Sequence, residues 1–230
     1  MTSIQLRLKH VLKKIHAAEE KYARPHGSVK LLAVSKTWPL ENILAAAEAG
    51  QHCFGENYVQ ESIAKIDGCE TKLEWHFIGH LQANKSREIA TRFDWVHSID
   101  RLKLAQRLSE QRPAELAPLN ICLQVNISNE PSKSGLRPDE VIETARQVIE
   151  LPRLRLRGLM AIPAPSTDFE QQRTVFRQVA ELQQQLIDQG MTLDTLSMGM
   201  SDDMEAAIAE GATIVRVGTA IFGPRDYSSD

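Results

Sequence analysis

Three cysteines, Cys53, Cys69 and Cys122, are all this chain has, an odd number with no C-x-x-C pair. That excludes a disulfide framework and paired-thiol metal motifs, and it points to free thiols in a reducing compartment, so a cytoplasmic location is expected. No apolar run reaches the length that crosses a bilayer. There is also no sustained Lys/Arg cluster, and the net charge is -3, so nothing marks a footprint for nucleic acid or for an anionic membrane. A small-molecule partner is the better expectation. No G-x-G-x-x-G follows the first strand-like segment, no nucleophile-elbow motif occurs, and no segment is of low complexity.

What is present is 230 residues, 42% hydrophobic and 25% charged, enough to bury one full core, so residues 1–230 read as a single domain. Ile4, Leu8, Val11, Leu12, Ile15 and Ala18 recur at helical spacing, with Lys9, Lys13, Lys14, Glu19 and Glu20 between them. That is an amphipathic docking helix, and its acidic pair argues against a transit peptide. After it, strand-like segments at about 29–36, 52–56, 73–79, 95–99, 119–128, 154–162, 194–200 and 213–221 alternate with helical patterns. The clearest helices are Glu41 to Ala49, Asn84 to Phe93, Arg101 to Glu115, Asp139 to Leu151, Phe169 to Gln189 and Asp202 to Glu210. Such alternation requires parallel strands joined by crossovers, and eight of them close an α/β (β/α)₈ barrel, the TIM barrel, here with an extra amino-terminal helix. An open doubly wound sheet is the alternative. Only Gly223 to Asp230 remains for an eighth helix, and the amino-terminal helix would cover that seam instead.

In this fold, sites lie at the carboxyl ends of the strands, with phosphates held after strands seven and eight. Lys36 ends the run Leu31-Leu32-Ala33-Val34-Ser35-Lys36, sharing a face with Leu32 and Val34. Its amine is a candidate Schiff-base nucleophile, although a solvated strand-end lysine is the simpler reading of the residue alone. After strand seven, Asp202 and Glu205 have capping-box-like spacing that leaves Ser201 and nearby amides facing an anion. An ordinary acid-rich helix start is the competing reading, and a divalent metal is disfavoured because the helix dipole satisfies those acids. After strand eight, Gly218 and Thr219 offer two amides and a hydroxyl that form a phosphate nest. Arg216 stands on the face of Ile214 and Gly218 in an apolar strand, so its guanidinium needs an acceptor in the fold or on a ligand.

Other polar groups also fall at strand ends. His76 and His80 are four apart on a strand running into a turn, a spacing that does not converge on zinc as it would on a helix. Asn57 follows strand two, Asn126 lies on strand five, and Lys133 follows strand five on the mouth side, as a solvated loop lysine or a peripheral phosphate contact.

Five blocks are specific enough to name a family: Leu32-Ala33-Val34-Ser35-Lys36, Phe54-Gly55-Glu56-Asn57-Tyr58-Val59-Gln60-Glu61, Trp75-His76-Phe77-Ile78-Gly79-His80-Leu81-Gln82-Ala83-Asn84-Lys85, Leu196 to Asp203 and Arg216 to Gly223. Together they closely resemble the pyridoxal-phosphate homeostasis protein family, whose fold is similar to the barrel domain of bacterial alanine racemases. The resemblance implies pyridoxal 5'-phosphate as a Schiff base on Lys36. It also implies Ser201, Gly218 and Thr219 on the phosphate, Arg216 at the pyridine nitrogen and Asn57 near the ring. A guanidinium in that place would donate to the nitrogen and keep it unprotonated, making the cofactor a poor electron sink. Lys133 resembles a family lysine implicated in a second, weaker cofactor contact, but the chain's end, Tyr227-Ser228-Ser229-Asp230, lacks the terminal lysines of some members.

The function implied is intracellular pyridoxal-phosphate homeostasis, that is, holding the cofactor and buffering or delivering it to pyridoxal-phosphate-dependent apo-enzymes without established catalytic activity. Two alternatives compete with it. An amino-acid racemase needs bases on both cofactor faces, and too few residues follow Gly223 to build a second domain that would supply one. A class I aldolase-like barrel would use Lys36 on a phosphosugar carbonyl. With no second domain to complete a shared site, a monomer is expected.

Overall fold

The computed structural model describes residues 2–128, 130 and 133–224. Eight strands, β1 (Lys30–Val34), β2 (Cys53–Glu56), β3 (Glu74–Phe77), β4 (Trp95–Ile99), β5 (Leu119–Val125), β6 (Leu154–Ala161), β7 (Thr195–Ser197) and β8 (Ile214–Val217), pair in sequence order and close into a barrel. All pairings are parallel, and β8 meets β1 with Leu32 opposite Arg216. The helices are α1 (Ser3–Lys21), α2 (Leu40–Ala47), α3 (Val59–Gly68), α4 (Ser86–Arg92), α5 (Leu102–Gln111), α6 (Pro138–Ile149), α7 (Phe169–Asp188), α8 (Met204–Ala209) and α9 (Thr219–Phe222). The (β/α)₈ expectation therefore holds, and the open sheet is excluded. Among the described residues no helix is long and apolar enough to cross a membrane.

The two-residue period of each strand divides its side chains between two environments. Leu31, Ala33, Phe54, Trp75, Phe77, Val96, Ile121 and Val215 join the large apolar core shared with the helices. The other face looks into the barrel, where Trp95, Cys122 and Met160 form a small apolar cluster. Much of the remaining lumen is polar: His76, His97, Ser197 and Arg216 are all buried there. Barrel interiors are ordinarily filled by branched aliphatic side chains, so each of these groups needs a partner.

The amino-terminal helix closes the seam as expected. Thr2 and Gln5 form a reciprocal capping box at its start. Ile4, Leu8, Val11 and Ile15 are then buried, each worth about 1.5–3 kcal/mol of removed apolar surface. α1 packs on α2, α8 and α9, and Arg7 donates to the Phe222 carbonyl at 3.0 Å.

Several strands end earlier than expected: β3 at Phe77 rather than 79, β5 at Val125 rather than 128 and β7 at Ser197 rather than 200, and the same holds at the two strands that carry the site. β1 ends at Val34 rather than 36, because the Ser35 amide makes the last rung, to the Gly55 carbonyl, before the chain turns at Lys36 and Thr37. β8 ends at Val217 rather than 221, since the Gly218 carbonyl accepts from the Ile221 and Phe222 amides and starts α9. That short helix is the described part of the eighth unit. The rest of the expected 223–230 segment from residue 225, including Tyr227 to Asp230, lies outside the described residues.

Candidate functional site

A cavity of about 560 Å³ opens at the carboxyl ends of the strands, and Lys36, Asn57, Ser201, Arg216, Gly218 and Thr219 all line it. Sequence positions up to 183 residues apart thus meet in one place. Val34 and Ile78 supply apolar wall, and the half-exposed Met200 and Ile162 stand at the rim.

Lys36 sits on a turn that is held from both sides by ions. The Lys65 ammonium, buried in α3, donates to the Ser35 carbonyl at 2.9 Å, to Glu56 at 2.8 Å and to Glu61. Glu61 in turn accepts from the Thr37 amide at 2.6 Å, and the Ser35 hydroxyl donates to Glu56 at 2.6 Å. Thr37 has a φ of 68°, a left-handed conformation that strains a β-branched residue and persists only where its surroundings fix it. Lys65 and Glu61 provide that fixation. Burial pushes the Glu56 carboxyl upward while Lys65 opposes the shift.

Asn57 is placed by a glycine. A Cβ at Gly79 would lie 2.2 Å from the Asn57 carbonyl oxygen, so the β3 loop can approach the Asn57 backbone only with hydrogen there. The Asn57 Oδ1 atom is buried and has no hydrogen-bond partner, an unfilled acceptor at the cavity wall. On the opposite side a Cβ at Gly218 would lie 3.1 Å from the Val34 carbonyl oxygen, tight enough to move the strand. The Thr219 and Ala220 amides precede the first hydrogen bond of α9, which Ile221 makes to the Gly218 carbonyl, and both residues line the cavity with Ser201.

The capping box expected from Asp202 and Glu205 does not form. α8 starts at Met204 with Asp203 as its cap residue, and the Asp203 carboxylate accepts instead from the Met200 amide at 2.6 Å. Glu205 faces α1, where Lys21 and the Tyr22 hydroxyl donate to it at 2.7 and 3.0 Å. Asp203 and Glu205 are thus engaged by protein, and Ser201 and Asp202 are left on the cavity wall.

Arg216 is 4% exposed, and its guanidinium is fixed by three acceptors of the barrel. Nη1 donates to the Ser197 carbonyl at 2.6 Å and to Ser197 Oγ at 2.8 Å, and Nη2 donates to the Ala161 carbonyl at 2.9 Å. Burial lowers its pKa to about 10, with Asp203 opposing, so it stays cationic at neutral pH. A planar fork held on one edge presents its remaining N–H groups in a fixed direction, towards the cavity it lines.

The other strand-end residues separate. His80 is exposed, 3.4 Å from the Ser134 hydroxyl, whereas His76 points into the lumen. Asn126 orders the loop after β5, donating to the Glu130 and Lys133 carbonyls and accepting from the Glu130 amide. Lys133 pairs with Glu130 at 2.8 Å and lines a smaller neighbouring cavity of about 320 Å³ that shares Asn57, Ile78 and Ile162 with the main one. Sequence reasoning missed the Glu61–Lys65 clamp, although acid and base four apart on α3 were a readable signal. It also missed His97 and Ser197, polar residues on the lumen side of otherwise apolar strands.

Fold and cavity define a barrel protein that gathers Lys36, the Arg216 guanidinium, Ser201, Gly218 and Thr219 in one cavity at the carboxyl ends of its strands. The alanine racemase N-terminal domain model matches residues 7–226. Curated proteins named pyridoxal phosphate homeostasis protein from Vibrio cholerae and Escherichia coli K12 are 55% and 56% identical, each over 99% of this chain and 99% of its own length. The chain belongs to this family. Among solved structures, PipY of Synechococcus elongatus, with PLP bound, superposes with a TM-score of 0.81 at 38% identity, covering 92% of this chain and all of that one. An alanine racemase from Clostridium difficile shares the fold, with a TM-score of 0.69 at 14% identity, and the match covers 95% of this chain and 57% of that chain.

Proposed function

We propose that this chain is a single-domain, monomeric, cytoplasmic carrier for pyridoxal 5'-phosphate, which it holds on Lys36 and releases to pyridoxal-phosphate-dependent apo-enzymes without turning over a substrate of its own. The observation that carries this reading is the convergence of Lys36, Arg216 and the Ser201–Gly218–Thr219 cup on one cavity, together with a buried acceptor, Asn57 Oδ1, that lacks a donor. The residues fit the group, because a phosphorylated pyridine carries an anion, a ring acceptor and a phenolic donor. The cofactor supplies an aldehyde that condenses reversibly with a primary amine.

In this reading Lys36 provides the amine, and the Lys65 clamp holds its turn so that the side chain enters the cavity from β1. Ser201, Gly218 and Thr219 bind the phosphate, Arg216 donates to the ring nitrogen, and Asn57 meets the ring's oxygen substituent. The opening at Met200 and Ile162 leaves water and free amines access to Lys36, which favours exchange over protected carbanion chemistry. Lys133, in the adjoining cavity, makes a second and weaker contact with the same cofactor.

The deciding measurement is the visible spectrum of protein incubated with pyridoxal 5'-phosphate, followed by borohydride and mass analysis. A yellow band, a fixed pyridoxyl group at Lys36 and loss of both in Lys36→Ala are expected. Failure of wild-type protein to form the band overturns the reading.

A further inference from the structure

The buried groups beneath Arg216 form a chain that leaves the cavity and crosses the lumen. Arg216 Nη1 lies 2.8 Å from Ser197 Oγ, Ser197 Oγ lies 2.7 Å from His97 Nδ1, His97 Nε2 lies 2.8 Å from His76 Nδ1, and His76 Nε2 lies 2.8 Å from Glu74 Oε1. Glu74 begins β3, at the end of the barrel away from the cavity. The four inner groups are all buried, whereas Glu74 reaches solvent with 36% of its side chain exposed.

The direction of every hydrogen bond in this chain follows from its two ends. Arg216 has no acceptor atom, so it donates to Ser197. At the far end Glu74 Oε1 already receives the Lys30 ammonium at 3.1 Å and the Cys53 thiol at 3.3 Å, and an ionised carboxylate can only accept. His76 therefore donates from Nε2. A neutral His76 then accepts at Nδ1 from His97 Nε2–H, which leaves His97 Nδ1 to accept the Ser197 hydroxyl proton, whose oxygen accepts from Arg216. All four links are satisfied in a single polarity. If His76 were instead an imidazolium, His97 would donate to Ser197 Oγ, which would then face two donors, Arg216 and His97, with neither able to accept its own proton. Burial also disfavours the charged form of both rings, with Glu74 opposing at His76 and the charges of His76 and Arg216 adding to it at His97.

We infer that Glu74 is a positioning residue for the cofactor site from the opposite end of the barrel: through neutral, Nε2-protonated His76 and His97 it fixes the Ser197 hydroxyl as the acceptor that holds the Arg216 guanidinium. The proton order stands without any assumption about the ligand. Only its effect on binding rests on the pyridoxal-phosphate reading.

The test is long-range ¹H–¹⁵N correlation of histidine-labelled, cofactor-free protein, with His76 and His97 assigned from His76→Gln and His97→Gln. Both rings are expected as Nε2–H tautomers, unchanged between about pH 6.5 and 9. In Glu74→Met, which removes the acceptor at residue 74, His97 is expected to shift its tautomer signature although it does not touch that residue, and in Ser197→Ala its Nδ1 resonance moves to the unbonded position. An imidazolium or an Nδ1–H tautomer at either ring in the wild type overturns the inference. So does a His97 spectrum indifferent to both variants. Should Glu74→Met not fold, the wild-type tautomers and Ser197→Ala decide. Added pyridoxal 5'-phosphate should then bind about tenfold more weakly to Ser197→Ala and to Glu74→Met. An unchanged affinity with the expected tautomers refutes the positioning role, and a wild type that does not bind refutes only the cofactor reading.

Discussion

Two buried polar networks support the cavity, and they use opposite chemistry. Beneath Lys36 an ammonium lies between two carboxylates, whereas beneath Arg216 two imidazoles and a hydroxyl transmit hydrogen bonds from a distant carboxylate. The first holds backbone, because the object to be fixed is a turn with a left-handed threonine. The second holds a side chain, because the object is a charged fork on the last strand. A strained turn tolerates an ionic clamp at short range. A buried guanidinium is better served by neutral acceptors, which add no further charge to desolvate beside it.

Breaking the ionic network should cost the most. Lys65→Met leaves Glu56 and its unpartnered Oε2 charged and buried, and about 3–5 kcal/mol of stability is expected to be lost in denaturant unfolding. Glu56→Gln combined with Lys65→Met removes the stranded charge and should recover part of that loss, whereas equal losses for the single and double variants would deny the ionic character of the clamp.

Gly79→Ala strikes the Asn57 backbone rather than either network. About 1–3 kcal/mol of destabilisation is expected, with weakened cofactor capture at Lys36, since a Cβ there requires the β2 loop to move. Normal stability and normal capture would show that the loop can yield.

The neutral network is sharpened by pH. In the unfolded chain His76 and His97 bind protons near pH 6.5, but in the lumen both resist them. The unfolded state therefore binds more protons as pH falls through about 6.5, and stability declines there by up to about 1.4 kcal/mol per pH unit for each ring. Above that range these two rings add no slope. Glu74, its carboxyl held well below the usual range chiefly by the His76 hydrogen bond, contributes a further loss only in stronger acid. The charged groups felt by this pair are Glu74, Asp94, Lys30 and Arg216. Unfolding curves near pH 7.5 and 5.5 should differ for the wild type and differ less for His97→Gln; equal differences would remove His97 as a cause.

The smallest effect belongs to the surface. Glu205→Ala breaks an exposed pair with Lys21, and a change under about 1 kcal/mol is expected in thermal unfolding. A larger loss would mean that α1 depends on this contact rather than on its apolar stripe.

Much of this was legible in the residues. Leu8, Val11 and Ile15 announced the seam helix, and the alternation of strand-like and helical segments announced the barrel, because periodicity is a local property of the chain. Lys36, Arg216, Gly218 and Thr219 could be picked out because an amine, a guanidinium or a glycine is conspicuous at the end of an apolar strand. Glu205 misled, since its spacing from Asp202 imitates a cap whereas its partners, Lys21 and Tyr22, lie at the other end of the sequence.

By itself, then, the sequence determined the barrel, the helix over its seam and the chemical groups at the strand ends, all of which follow from short-range patterns of polarity. Only the closed barrel decided which of those groups share a cavity and that His76, His97 and Ser197 align between Arg216 and Glu74. Those contacts join residues as many as 100 positions apart, and they exist only because closure forces the inward faces of different strands into one narrow, water-poor lumen.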